Sequence, residues 1–379
     1  MEDGNAIRID AVRTRRDLRR FIDLPYRLYR GSPCWVPPLR LEQRMTLSRK
    51  SNPFWGHAER ELFLAFDRGG QPIGRIAAIV NRAHLERYDD GNGFFGFFEC
   101  EDRGAAAALL EHAAGWLKSR GLTGMRGPCN PSMNDVSGLL VKGFDRAPSF
   151  YMPYNPPSYE EYFEQCGLQR VMTTYAYYLH KRYCDFEQIR PWLDELRAHY
   201  PGLRIVNGDR KRFAAQAELV LEIYNDGWSA NWGHVPMTRG EFRRLARDFK
   251  HLLDPDLAFF LELDGRTIGF VLALPDLNEA LRRVHGGRLL PFGWLKLLVL
   301  WKWGGIRTAR AALAGVRAEH RGQGLAALMG LLAVQHNWLG CYEAVELSWV
   351  LQSNKLLVDA LERIGAVRDK EYAIFERAL

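Results

Sequence analysis

The sequence predicts a mixed-sheet α/β chain (α+β in the broader sense) made of two similar halves, and three observations carry that expectation. A hairpin pattern occurs twice: Leu62-Phe63-Leu64-Ala65-Phe66 leads through a Gly-containing turn to Ile73-Gly74, and Phe259-Phe260-Leu261-Glu262-Leu263 leads through Asp264-Gly265 to Ile268-Gly269, 195 positions later. Turn chemistry between β-rich flanks marks both as hairpins. Further on, Asn155, Gly167, Arg170 and the run Tyr175-Ala176-Tyr177-Tyr178 return as Asn354, Gly365, Arg368 and Tyr372-Ala373-Ile374-Phe375, displaced by 199 positions at the Asn and 198 at the Gly. Finally, 379 residues exceed one ordinary core at about 150 residues per domain. The halves meet near residue 184, giving domains 1–184 and 185–379; two unrelated α/β domains sharing hairpin vocabulary is the other reading.

The elements follow in order. In the first half we expect helices near 15–30 and 39–48, strands near 60–67, 72–81 and 94–99, a helix near 103–119 and a strand near 123–127. A Pro-, Asn- and Gly-rich loop then runs from 128 to about 157. The second half reads as helices near 185–198, 209–224 and 238–250 and strands near 257–263 and 267–274. After a basic insert at 281–310 come a strand near 311–317, a helix near 322–337, a strand near 343–350, a helix near 354–364 and a last strand.

Composition narrows the function. The six cysteines, 34, 100, 129, 166, 184 and 341, stand singly with no C-x-x-C pair and no histidine cluster, so reduced thiols and no metal are expected. The charged N-terminus lacks the apolar core of a signal peptide, which points to the cytoplasm. The net charge of +7 is matched by one window: Arg282, Arg283, Arg288, Lys296, Lys302, Arg307 and Arg310 occur without one Asp or Glu. Charge gathered in an apolar segment, not along a polar groove, argues against nucleic acid.

The chemistry lies in Ala311 to Gly330, an apolar strand, a polar turn with two glycines and an Ala/Leu-rich helix. Glycine lets the backbone approach a ligand, and a helix beginning there aims unsatisfied N–H groups and the positive end of its dipole into the turn, which favours a phosphate. Here Arg321, Gly324 and Ala326 resemble the R/Q-x-x-G-x-G/A signature of the GNAT acyltransferases, set between strand and helix as in that superfamily. The downstream Ser353-Asn354 and Ile364-Gly365-Ala366 are similar to its fifth strand and fourth helix region. The resemblance covers about 210–379 well and the first half weakly, and implies two tandem GNAT-like domains, the first degenerate.

It also implies an acyl-CoA or acetyl-CoA co-substrate and direct attack of an amine on the thioester. Arg321, Gly322, Gln323, Gly324, Leu325 and Ala326 would hold the pyrophosphate, the backbone near Val316 and Arg317 would pair with the pantetheine arm, and Asn354 would cap the next helix or hold the coenzyme. Where the family commonly has a Tyr acid, this sequence has Leu361; Tyr372 is the substitute, or else an aromatic beside the sheet. Glu319, His320 and Glu346 are candidate bases, each with a solvated or core role as the alternative. Asn225, Trp228, Asn231, Trp232 and His234 would shape the acceptor pocket or form an inter-helix core. In the first half, Glu101 and Asp102 stand where phosphate would sit, and Asn130, Asn134 and Asp135 would wall a shared cleft.

The insert carries Trp294, Trp301 and Trp303 among Leu and Lys, too short to span a bilayer. It reads as a helix in an anionic membrane interface, placing the protein peripherally on the inner membrane face, or as a helix packed on its own domain or a dimer partner. The first reading favours a lipid-like amine acceptor over a small polar one, as for bacterial ceramide synthases, which resemble tandem GNAT proteins. A FemABX-like aminoacyl transferase and a non-catalytic acyl-CoA sensor or scaffold are the competing functions; the intact phosphate turn argues against the former.

Overall fold

A computed structural model describes residues 7–185, 187–188, 190–250, 252, 255–303, 305–333 and 342–379. Two compact units emerge: Met1–Thr173 with Leu281–Trp294 and Tyr372–Leu379, and Thr174–Ala280 with Leu295–Glu371. A single cut at 184 therefore divides the chain in sequence, whereas two later segments fold with the first unit.

In the first unit, β1 (Arg8–Ala11), β2 (Ala58–Phe66), β3 (Pro72–Asn81) and β4 (Asn92–Cys100) pair antiparallel in that order. β5 (Gly124–Gly127) joins β4 in parallel over Asn92–Phe94, and its other edge takes Phe375–Ala378 of the C-terminal strand antiparallel. Helices α1 (Arg15–Leu28) and α2 (Arg40–Leu47) cover one face, where Phe21, Ile22 and Leu47 meet Leu62, Leu64 and Ile79. α3 (Arg82–Tyr88) follows β3. α4 (Arg103–Lys118) covers the opposite face: Ala105, Ala106, Leu109, Leu110, Ala113, Ala114 and Leu117 form a stripe at helical spacing, all buried. Short strands β6 (Cys129–Asn130), β7 (Val136–Ser137) and β8 (Leu139–Lys142) and α5 (Ser158–Gln165) complete this part. Within their loop Ser132 bonds Asp135 (2.6 Å) and receives the Asn134 N–H (3.2 Å), so these residues hold the loop's own turn.

The second unit repeats the plan. β9 (Gln169–His180) leads to α6 (Arg190–His199), β10 (Leu203–Asn207), α7 (Phe213–Gly227), α8 (Arg239–Phe249), β11 (Ala258–Leu263) and β12 (Arg266–Pro275). α9 (Asn278–Leu281) and α10 (Gly293–Lys302) precede β13 (Thr308–Val316), α11 (Leu325–Ala333), β14 (Ala344–Leu351), α12 (Lys355–Arg363) and β15 (Val367–Ala378). β10, β11, β12 and β13 are antiparallel, β13 and β14 parallel, and β14 takes Thr174–His180 of β9 antiparallel. Each half thus closes its sheet with residues from the other half's last strand. The echo between Tyr175–Tyr178 and Tyr372–Phe375 is an echo between exchanged strands.

Most expected elements are present with their ends shifted by a few residues. The expected strand at 311–317 starts at Thr308, so the insert ends earlier than 310. Residues 334–337 of the expected helix, and Cys341, lie outside the described residues. β1, β10, α3 and α9 had no sequence assignment, β6, β7 and β8 lie in the expected loop, and α10 falls in the insert that reads as a helix. β1 and β10 are short edge strands with charged or exposed positions, where burial imposes little pattern.

Candidate active site

The site is a parting of two strands. β13 and β14 pair only from Thr308↔Ala344 to Ala311↔Leu347. Directly beyond, both are irregular. Against β12, Leu272 pairs with Leu313 and Ala273 with Ala311, so Ala312 is an extra residue, a β-bulge. Against β9, Ser348 and Trp349 fall in a second register shift, and Trp349 has φ of +64°, rare for a bulky side chain. Bulges at the same level of neighbouring strands bend them apart, leaving β13 without a strand partner among the described residues from Ala312 to Val316 on that side. The bulge also sets facing: Ala309, Val316, Val345 and Leu347 point to the core under α11 and α12, while Leu313 packs with Phe270 under α7 and α8.

At the open end of β13 lies the glycine turn. Gly322 and Gly324 both have left-handed backbones, φ +72° and +75°, and α11 starts at Leu325. Among the described residues, the N–H groups of Gly322, Gln323 and Gly324 meet no protein acceptor. A Cβ on Gly322 would find nothing within 4 Å, so the space over the turn is open. A turn of outward amides at a helix N-terminus fits a diphosphate. The Ala326 side chain lies outside the described residues.

Arg321 acts differently from its expected role as a phosphate counter-charge. Its guanidinium donates to Gly227 O (3.0 Å), Asp226 O and Ser229 Oγ (2.5 Å), capping the last carbonyls of α7. Asp226 in turn accepts the Ala318 N–H at 2.7 Å. The signature arginine therefore fixes the turn to α7. Arg317 is likewise a strut: its N–H goes to Ile268 O (2.8 Å), and its guanidinium to Thr267 O (3.0 Å) and Glu222 (2.7 Å). Gly227 lies so close to Val316 that a Cβ would sit 2.5 Å from Val316 O. The strand edge near Val316 and Arg317, expected to receive a pantetheine arm, is thus largely engaged by its own chain, and the more open stretch is nearer the bulge. Gln323 is tied to Tyr200 Oη at 2.7 Å.

The expected acceptor residues separate into two groups. Asn225 accepts from Met237 N and donates to Met237 O, both at 2.9 Å, so it closes the following loop. Trp228 donates to Ala314 O (2.7 Å) on the parted strand, and its ring packs with Tyr224 and with His234, which is buried. Trp232 is 38% exposed and Asn231 half-buried, so these two face outward.

The candidate catalytic residues separate as sharply. Glu346 sits in the parallel-paired base of the wedge, directly opposite Arg310 on β13 and Tyr178 on β9. Alternation places it on the α7 side, away from Val345 and Leu347. Arg310 is buried there too, with Nε donating to Ser348 Oγ at 2.8 Å. Glu346 is 2% exposed, a buried carboxylate at the point where the strands part. Glu319 is solvated and paired with Arg266 (3.0 Å), and His320 lies beside it (3.7 Å), both in the turn before the glycines. Tyr372 corrects an expectation: strand exchange puts it in the first unit, 1% exposed, its Cβ 3.3 Å from where a Cβ on Gly138 would stand. It is a core aromatic. Leu361 is also core, at 1% exposure, and Asn354 caps α12 by accepting from Leu357 N at 3.3 Å.

The first unit carries a closed counterpart of the wedge. β4 and β5 part after Phe94↔Arg126, β4 carries its own irregularity, and Phe97 has φ of +50°. That wedge is filled by the chain: Asn130 Oδ1 accepts the Phe97 N–H at 2.5 Å, and a Cβ on Gly96 would fall 1.6 Å from Cys129 O. The turn before α4 is also closed, because Asp102 accepts the Ala105 N–H (2.8 Å) and Glu101 pairs with Arg27 (2.5 Å). Gly96→Ala should therefore destabilise the protein by at least ~3 kcal/mol, the upper end for overpacking, with the melting temperature as readout. Gly115→Ala on the exposed side of α4, with nothing within 4 Å of its Cβ, should stabilise by ~0.5–1 kcal/mol.

Sequence reading did not anticipate the bulge at Ala312, the left-handed Trp349, or the Arg310–Ser348 contact. The run Ala311-Ala312-Leu313-Ala314 reads as a continuous strand, since alanine bears no mark of a bulge. Two relatives span nearly the whole chain. Protein YghO of Escherichia coli (strain K12) is 36% identical over 369 residues, 96% of this chain and 93% of that protein. A protein of Caulobacter vibrioides named bacterial ceramide synthase is 37% identical over 375 residues, 97% and 96% of the two chains. Among solved structures, a tandem GNAT protein from the clavulanic acid biosynthesis pathway superposes with a TM-score of 0.55 and 13% identity, covering 98% of both chains. No family model matches the sequence.

Proposed function

Because the chain belongs to the family of YghO and the Caulobacter bacterial ceramide synthase and has the fold of a tandem GNAT protein, we propose that it transfers an acyl group from acyl-CoA to a lipophilic primary amine. The observation that carries this reading is the wedge opened by the Ala312 bulge, with the amides of Gly322 to Gly324 at one end and Glu346 at its base. The second unit holds the coenzyme, and the filled first unit supports it.

Gly322, Gln323 and Gly324 hold the diphosphate on their N–H groups, helped by the α11 dipole. The thioester lies in the wedge near the bulge, where an outward N–H of β13 polarises its carbonyl. The amine nitrogen attacks that carbon; the N–C bond forms, the C–S bond breaks, and CoA leaves as a thiolate. Glu346 takes the proton released by the amine. With Leu361 in the core, no side chain is needed to protonate the sulfur: a thiolate of pKa near ~8.5 leaves unaided and gains its proton from water.

The name of the Caulobacter relative, bacterial ceramide synthase, supports an acceptor of the long-chain amino-alcohol class, whose N-acylation gives a ceramide. The test is release of free CoA thiol from long-chain acyl-CoA with such a base, against short polar amines. Turnover confined to the lipophilic amine is expected. Tight acyl-CoA binding with no thiol release across both sets would instead make the protein a sensor.

A further inference from the structure

We propose that the segment 290–303 is a docking surface for an anionic lipid bilayer, and lies in the plane of its interface. Leu290 is 78% exposed, Phe292 72%, Trp294 50%, Leu295 44%, Val299 43% and Trp303 74%, the main cluster of large exposed apolar side chains among the described residues. Phe292, Leu295, Val299 and Trp303 follow at intervals of three, four and four, which places them on one face of α10 and its ends. A helix on a water-facing surface turns its polar side outward. This one exposes Trp294, Leu295 and Val299 beside Lys296.

The segment is held at its root. Arg40 Nε donates to Gly286 O at 3.1 Å, and a Cβ on Gly287 would lie 2.1 Å from Pro38 O. Trp294 N–H closes on Leu289 O at 2.9 Å. The chain leading into α10 is therefore an anchored turn.

Charge selects the occupant. Arg282, Arg283, Arg288 and Lys296 are exposed, and 281–310 contains no acidic residue. Tryptophans between apolar body and polar rim, flanked by cations alone, complement an anionic headgroup layer. Ten residues of α10 extend about 15 Å, half a hydrocarbon core of about 30 Å. Among the described residues no helix is long and apolar enough to cross a membrane. The helix therefore lies flat, with its stripe in the headgroup boundary. This surface is independent of the acyl transfer proposed above.

The test is co-sedimentation of the full chain with vesicles of phosphatidylcholine alone or mixed with phosphatidylglycerol. Binding should be at least tenfold stronger to the anionic vesicles. It should fall at least tenfold in the triple variant Phe292→Ser, Val299→Ser, Trp303→Ser, and as far in Arg288→Glu with Lys296→Glu, while far-ultraviolet circular dichroism and the cooperative melting transition are retained. Equal binding by the wild type and both variants would overturn the proposal. So would a dimer in sedimentation equilibrium that the triple variant converts to monomer, since the face would then be covered by a second copy.

Discussion

Gly324→Val is expected to weaken acyl-CoA binding at least 100-fold, about 3 kcal/mol, and to remove turnover with it. Two effects combine. At φ +75° a β-branched residue is strained by ~1–2 kcal/mol, and relief of that strain rotates the neighbouring amides away from the position where a diphosphate would accept their hydrogens. Its methyl groups also add bulk beside the anion. Gly322→Ala provides the contrast. Its Cβ meets no protein atom within 4 Å, so the folded state bears only the φ strain, a fall of a few degrees in melting temperature. Calorimetry on both variants separates a lost cradle from a loosened fold. Wild-type affinity in Gly324→Val would remove the diphosphate from this turn.

The second large effect is on chemistry, not binding. Glu346→Gln keeps shape and an oxygen acceptor for its buried neighbours but cannot take the amine's proton. We expect kcat to fall by about 10²–10⁴, as for loss of a general base, with acyl-CoA affinity within about twofold of wild type. Raising the pH should rescue part of the rate, because more of the amine then arrives unprotonated. A rate within about threefold of wild type would move the base elsewhere. Glu319, exposed and paired with Arg266, offers a solvent-facing alternative whose replacement should be nearly silent under the present account.

The duplicated hairpin, the strand-to-helix glycine turn and the downstream Asn and Gly were legible because each depends on local chemistry: β-rich flanks around a Gly turn, positive φ at Gly322 and Gly324, a side-chain cap at Asn354. The exchange of last strands was not. Tyr175–Tyr178 and Tyr372–Phe375 carry the same pattern, and nothing in either states which sheet it joins, so Tyr372 was expected at the chemistry and lies in the first unit's core. Arg321 was misread for a related reason. A cation beside a phosphate turn suits an anion, but it suits the C-terminal carbonyls of a helix equally, and only tertiary packing brings Gly227 to it. The filled wedge of the first unit was half visible. Glu101 and Asp102 announced a closed turn, whereas the Asn130 side chain on Phe97 N–H required the fold.

Stoichiometry tests the central claim most directly. Calorimetric titration of the full chain with coenzyme A should give one site per chain, since the wedge of the second unit is open and that of the first holds its own residues 129 and 130. Two equivalents would mean that the first wedge admits the coenzyme as well, and no binding at all would mean that the parted strands and the glycine turn serve something other than acyl-CoA.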